Sequence, residues 1–449
     1  MELRRIYLIA TLFVLQLNCF GHGIDSLIAR QFINCLKAQD FIKAHSLCDE
    51  SVKSKLSTGV IETTWAQATS KTGKLTRVSD YYKEEESSHV TFYFPCQFEK
   101  QAMDLKVIIT SRNGVGGFSF VHHEDHRDPK TYQLPDYNRP ENYSERELEI
   151  RSADGHVLNG VLTIPHSSRQ VPVIILVHGP GPKDRDGSVG LNKVFKDLAI
   201  GLANFGIATI RYDKRTYTYP NEYQKGITIR KEVIDDALAA IKLCKTISQV
   251  NSNEIYLAGH SLGGMLAAEI ATEAKELKGI ILLAANSSPL EDIIYNQYKH
   301  LYNLGGKITK TESDQLKSIK AQVDYTKSSK LSLNSPTDSL LLALPASYWL
   351  SLHSYHPVKT FGALRKKCLV LQGEQDYQVP MSDYQTWKNF QSINRDVTAI
   401  SFPKLNHLFM EADASTEDYA KPLHVAYYAI EDIGKWVNGD DTSSAATKK

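Results

Sequence analysis

Gly259-His260-Ser261-Leu262-Gly263 follows a strand-like run, Glu254 to Ala258, and opens a stretch rich in alanine and leucine that reads as a helix. This strand, tight turn and helix constrain the fold more than any other feature of the chain. Glycines must flank the serine because side chains in so tight a turn would collide with neighbouring backbone. The turn lifts Ser261 to the carboxyl edge of a sheet and places its hydroxyl at a helix N-terminus. The rest of the sequence supplies such a sheet. Apolar runs at Val171 to Val177, Gly206 to Tyr212, Glu254 to Ala258, Gly279 to Leu283, Lys367 to Leu371 and Val397 to Phe402 alternate with helical stretches such as Val233 to Cys244. Continuous apolar strands separated by amphipathic helices indicate a mostly parallel sheet covered on both faces. The stretch from Ser287 to Leu364 breaks the rhythm, is largely helical and sits between two core strands, where it reads as a cap.

A serine hydroxyl is a weak nucleophile and needs a base and an orienting acid, in the chain order Ser, acid, His for this arrangement. Asp376 lies just beyond the strand Lys367 to Leu371, and His407 just beyond Val397 to Phe402. Glu374 competes with Asp376 as the acid, and His424 with His407 as the base. The oxyanion of acyl transfer requires donors, the first being the backbone N–H of Leu262. The second is expected in His178-Gly179-Pro180-Gly181-Pro182. Pro180 has no N–H, so Gly181 is the expected donor. The cap residues Tyr348 and Trp349 are expected to line a substrate pocket.

The N-terminal third is different in kind. Leu27, Ile28, Phe32, Leu36 and Phe41 recur at helical spacing and suggest two packed helices. Val90, Phe92, Phe94, then Leu105, Val107, Ile109, then Phe118 and Phe120 alternate as antiparallel strands. These make a small α+β domain at 22–125, followed by a proline-marked linker at 126–146, a hydrolase domain at 147–438 with its cap at about 287–364, and a flexible tail at 439–449. Arg4 and Arg5 ahead of the apolar run Ile6 to Leu17 read as a signal peptide over 1–21, hence an exported protein, periplasmic or secreted. Cys19 offers a lipid anchor as the less favoured alternative. The six cysteines show no regular framework and read as buried apolar thiols.

The 52 basic and 51 acidic side chains leave a net charge of +1, which excludes nucleic acid as an expected partner. The adjacent His122, His123, Asp125 and His126 cannot all converge on one ion, so no metal or cofactor is expected. No stable membrane span is expected either, because the N-terminal apolar run is too short.

The stretches Gly179 to Gly187, Arg211 to Thr216, Gly259 to Met265, Pro345 to Trp349, Leu371 to Pro380 and Leu405 to Met410 together resemble the secreted serine esterases of the α/β-hydrolase superfamily. Those enzymes carry a cystatin-like or NTF2-like N-terminal domain and stand near dienelactone hydrolases and serine aminopeptidases. The resemblance implies an α/β-hydrolase fold with a helical cap, a small-molecule ester substrate, and the triad Ser261, Asp376 and His407. Pro180 departs from the family pattern of a small residue with an N–H. The N-terminal domain implies a ligand-binding or pairing role, and a homodimer through it is a further expectation. Serine peptidase and acyltransferase chemistry on the same fold remain open, as does, less favoured, a binding protein without catalysis.

Overall fold

The computed structural model describes residues 25–440 apart from 80, 87–88, 111–113, 123–131, 220–225, 305, 307, 413–418 and 420. They divide into two compact units, residues 25–122 and residues 132–440. The signal-peptide and lipid-anchor expectations, the 123–126 part of the histidine cluster and the last nine residues of the tail lie outside the described residues.

The first unit opens with helices α1 (25–37), α2 (Phe41–Ser46) and α3 (Thr58–Thr72). Five antiparallel strands follow: β1 (Leu75–Val78), β2 (Tyr82–Glu86), β3 (His89–Phe98), β4 (Ala102–Thr110) and β5 (Val115–His122). They run in the order β1-β3-β4-β5, with β2 also paired to β3. Every second residue of β3 and β4, from Phe92 to Phe98 and from Leu105 to Ile109, is buried in one cluster with Phe32, Leu36, Ile61 and Trp65 of the helices. The period of two in the sequence is this buried face. Helix α3 escapes sequence reading because its buried side chains are few, Ile61, Trp65 and Thr72, although Ser57 caps its first turn through the Val60 N–H.

In the second unit, β6 (Tyr143–Arg151), β7 (Val157–Pro165) and β8 (Val171–Val177) lead through the short ribbon β9 (Ser188–Val189) and β10 (Asn192–Lys193) to α4 (Val194–Ala203). Then come β11 (Ala208–Tyr212), α5 (Arg215–Thr218), α6 (Asp235–Cys244), β12 (Val250–His260), α7 (Leu262–Glu273) and β13 (Leu277–Leu283). The cap holds α8 (Leu290–Asn303), α9 (Lys310–Thr326), α10 (Ala346–His353) and α11 (Pro357–Ala363). The core resumes with β14 (Lys367–Gly373), α12 (Met381–Lys388), β15 (Val397–Phe402) and α13 (Tyr427–Asn438).

The sheet has eight strands in the order β15-β14-β13-β12-β8-β11-β7-β6. The strands from β15 to β11 are parallel, and β7 and β6 add antiparallel partners at one side. From β8 the chain moves outward to β11, then returns past β8 to β12. The order therefore reverses between β8 and β12, the crevice where open α/β sheets bind ligands. Ile174, Leu176, Ala258, Ile281, Leu369 and Leu371 pack beneath Leu198, Ile430 and Ile433 of α4 and α13. The five described cysteines are free and buried.

The proline-marked stretch is no spacer where it is described. Tyr132 OH donates to Asp197 Oδ1 at 2.6 Å and Tyr137 OH to the Val425 carbonyl at 2.9 Å, and β6 begins inside it at Tyr143. The cap is fastened to the core too, with Tyr355 OH donating to the Met265 carbonyl of α7 at 2.8 Å.

The fully buried Leu369 at the centre of β14 gives a direct test of this core. Leu369→Ala is expected to cost roughly 2–5 kcal/mol by lost burial and a residual cavity. The exposed Leu333→Ala should stay within about 0.5 kcal/mol. Equilibrium denaturant titrations of both variants check the contrast.

Candidate active site

Ser261 stands at the end of β12 with φ 55° and ψ −119°, a left-handed backbone that a side chain adopts only under constraint. The constraint is visible on both sides. The Ser261 N–H donates to the Leu283 carbonyl of the neighbouring strand at 2.9 Å, and its own carbonyl accepts from Met265 at 3.0 Å. A Cβ at Gly259 would lie 2.2 Å from the Gly263 carbonyl oxygen, and one at Gly263 would lie 2.4 Å from that of Val177. No side chain fits at either position, which is the physical content of the glycines in the motif. Leu262 opens α7, so its N–H is one of the helix-initial donors that has no intrahelical partner.

Asp376 and His407 are brought together as the sequence predicts, with His407 Nδ1 2.7 Å from Asp376 Oδ2. The same oxygen accepts from Gln372 Nε2 at 2.9 Å, and Oδ1 accepts from the N–H groups of Gln378 and Val379 at 2.7 and 2.9 Å. Four donors thus fix the carboxylate, and its acceptor role assigns the proton of His407 to Nδ1 and leaves Nε2 to receive one. Glu374 is exposed and accepts from Ser401 Oγ at 2.8 Å, so it is not the acid. His424 pairs instead with the buried Asp197, at 3.3 Å. Among the described residues, Ser261 Oγ makes no hydrogen bond to His407, a looseness common before substrate closes the site.

His260, between the first glycine of the motif and the serine, has a role the sequence did not disclose. Its Nε2–H donates to the His407 carbonyl at 2.8 Å and its ring lies 4.6 Å from the His407 ring. The residue preceding the serine thereby tethers the backbone of the histidine. Burial first, then the neighbouring His407, pushes its pKa down to about 3.

The loop after β8 passes close to Ser261. A Cβ at Gly179 would come within 3.2 Å of Ser261 Cβ and 3.6 Å of its Oγ. Gly181 does not carry the expected donor role, because its N–H is already given to Glu232 Oε1 at 2.9 Å. Behind this loop the two charged motifs interlock. Arg185 meets Asp213 at 2.9 Å, Arg211 meets Asp186 at 3.0 Å, Lys214 meets Glu232 at 2.7 Å and Arg215 meets Asp236 at 2.6 Å. Glu232 sits in a π-helical turn, Arg230–Ile234, leading into α6. A wide turn of this kind leaves no hydrophobic period to read, so Glu232 had no sequence signal. Lys214 did, as a member of the Arg211 to Thr216 motif.

Tyr348 and Trp349 do not line a pocket as the sequence suggests. Their exposures are 1% and 0%, and their rings pack edge to face within the cap, 5.7 Å apart. A side chain without accessible surface offers none to a substrate. A cleft of about 1000 Å³ lies between the end of α7 and the cap, lined by Arg230, Lys275, Lys359 and Arg365 among others. It opens at the far end of α7 from Ser261 and is no acyl pocket.

The model of the family described as serine aminopeptidase, S33, matches residues 173–413, over half of the chain. The chain belongs to this family of α/β-hydrolases. The matched region spans Ser261, Asp376 and His407. Residues 29–118 match a second family, described as a protein of unknown function, DUF3887. Esterase EstD of Thermotoga maritima is 31% identical over 409 residues, which cover 90% of this chain and 93% of that protein. Solved structures with a more distant likeness include the Pyrococcus furiosus esterase Pf2001, at 14% identity and a TM-score of 0.43, covering 69% of this chain and 98% of that one. Est1E from Butyrivibrio proteoclasticus gives 19% identity and a TM-score of 0.41, covering 65% and 96%.

The depressed histidines give a pH prediction. His178, buried, has its pKa well below the ordinary 6.5, and that of His260 is about 3. Below about pH 6.5 the unfolded chain therefore binds protons that the native state refuses, and stability falls as pH falls. His260→Gln keeps a donor for the His407 carbonyl and removes one such proton. Its melting temperature is expected to drop less than that of the wild type between about pH 7 and about pH 5. Thermal scans across that range are the check, and equal slopes would refute the assignment.

Proposed function

We propose that the chain hydrolyses carboxylic esters through an acyl-serine intermediate, with Ser261 as nucleophile, His407 as base and Asp376 as orienting acid. The observation that carries the reading is the Asp376–His407 hydrogen bond of 2.7 Å beside a strained serine at the head of α7. The name of the Thermotoga maritima relative, an esterase, supports the substrate class.

His407 Nε2 takes the proton of Ser261 Oγ as the oxygen attacks the ester carbonyl carbon. The His407 Nδ1–H keeps donating to Asp376 Oδ2, and the carboxylate stabilises the imidazolium without itself being protonated. The carbonyl oxygen becomes an oxyanion that the Leu262 N–H receives. As the intermediate collapses, Nε2–H protonates the leaving alkoxide and the acyl group stays on Ser261. Water then attacks the acyl carbon, giving a proton to Nε2, which passes it to Ser261 Oγ as the acid is released.

The family description favours a second reading, cleavage of aminoacyl amides. The two are separated by matched substrates. Short-chain esters are expected to have kcat/KM at least ~100-fold above aminoacyl amides, because amide cleavage needs extra positioning of the leaving nitrogen. An equal or higher value on the amide would transfer the assignment to peptidase. Ser261→Ala should abolish both ester hydrolysis and fluorophosphonate labelling at near-unchanged melting temperature. His407→Ala should lose several orders of magnitude in kcat.

Export is part of the proposal and rests on the Arg4, Arg5 and Ile6 to Leu17 pattern. Protein recovered from its native compartment is expected to begin between Phe20 and Ile24. Intact-mass and N-terminal peptide spectrometry decides it, and a retained Met1 or a lipid on Cys19 would overturn it.

A further inference from the structure

The loop that packs on Ser261 is held from behind by two charged side chains that the acyl-transfer steps do not use. Lys214 Nζ donates to the Gly179 carbonyl oxygen at 2.8 Å and to Glu232 Oε1 at 2.7 Å. The same Oε1 accepts the Gly181 N–H at 2.9 Å. Both side chains are sealed from solvent, at 3% and 0% exposure. The carbonyl just before Pro180 and the N–H just after it are thus tied to one buried ion pair. Pro180 itself has a fixed φ. All three residues of the turn are held, and the first of them lies so near Ser261 that a Cβ on it would come within 3.2 Å of Ser261 Cβ.

We infer that Lys214 and Glu232 are positioning residues for acyl transfer, fixing the Gly179-Pro180-Gly181 turn against Ser261 and so setting where the oxyanion forms. The inference rests on the ester-hydrolase reading. Its physical basis is the direction of the Gly179 carbonyl. With Lys214 present, the negative end of that dipole is committed to an ammonium group. Released, it is free to turn toward Ser261, where it would oppose the charge that develops on the substrate oxygen. Glu232 does the complementary work on the other flank, and its charge cancels that of Lys214. The turn is therefore pinned without adding a net charge to a site that must host an oxyanion. A purely structural pair would anchor β11 to α6 and have no reason to reach both sides of Pro180.

Two variants separate position from stability. Lys214→Met combined with Glu232→Leu removes both charges and all three hydrogen bonds while keeping volume, the replacement that buried ion pairs tolerate best. Glu232→Gln keeps an acceptor for the Gly181 N–H and loses only the charge. For each, the melting temperature, kcat and KM on p-nitrophenyl acetate, and the rate of fluorophosphonate labelling of Ser261 are measured. In the folded double variant kcat is expected to fall about 10- to 100-fold, on the scale of a lost oxyanion contact, with labelling slowed in parallel. KM should stay within about threefold. Glu232→Gln should lose less, because the Gly181 tether survives. A folded variant with wild-type kcat and labelling, or a loss confined to KM or to the unfolded fraction, overturns the inference. If the double variant does not fold, Lys214→Met with Glu232→Gln decides, because it frees the Gly179 carbonyl, keeps an acceptor for the Gly181 N–H and leaves no buried charge, and unchanged kcat and labelling there is refutation. A wild type that is labelled at Ser261 but leaves the ester intact would sink the ester reading instead, and the labelling rates would still test the turn.

Discussion

The arrangement at the carboxyl edge of the sheet depends on opposite charges buried beneath it. Arg185–Asp213 and Arg211–Asp186 tie the loop after β8 to β11 and its end, and Lys214–Glu232 and Arg215–Asp236 tie the segment after β11 to the start of α6; of these charges only Arg185 is partly exposed. Removing such groups from water costs several kcal/mol per ion, which good geometry and further hydrogen bonds must offset. That geometry is present. Arg211 also donates to Thr163 Oγ1 at 2.7 Å, and Arg215 to Ser152 Oγ at 3.1 Å. A buried charge whose partner is displaced is strongly unfavourable, so the lattice penalises every loop conformation but one. It acts less as a source of net stability than as a selector.

The same division of labour appears at the nucleophile. A serine at positive φ costs of order 1–3 kcal/mol, and the surroundings make the relaxed alternatives worse. Gly259 and Gly263 admit backbone where any side chain would collide. Asp376, filled by four donors, has one orientation, and His407 inherits it through Nδ1. His260 closes the circuit by holding the His407 backbone from the residue next to Ser261. Ser261, His407 and Asp376 come from three separate strand ends, yet each is fixed relative to another by a short hydrogen bond or a steric limit.

The sequence made the sheet legible because parallel strands buried on both faces leave continuous apolar runs. Val171 to Val177 coincides with β8 to the residue, and Val397 to Phe402 with β15, although that strand lies at the sheet edge and its four middle residues are only partly buried. The proposed site residues were legible for a related reason: Ser261, Asp376 and His407 each follow a strand, and the expected chain order restricts where the acid and the histidine can stand. What stayed hidden was decided by partners distant in sequence. Gly181 looked available until Glu232, 51 positions away, took its N–H. Tyr348 and Trp349 carry the composition of a pocket wall, but aromatic rings in a cap fill its interior equally well, and burial decided for the interior. Helix α3 was missed because few of its side chains are buried.

The thiols bear on a different question, the surroundings in which such a molecule persists. Cys35, Cys48, Cys96, Cys244 and Cys368 are unbridged and enclosed, and desolvation raises every one of their pKa values, to about 11 for Cys48 and about 12 for Cys96, Cys244 and Cys368. Since thiolate is the reactive form, these sulfurs are poor targets for oxidants, alkylating agents and exchange with glutathione. The described fold draws its cohesion from packing and charge, so a change of redox poise around it finds little to grip.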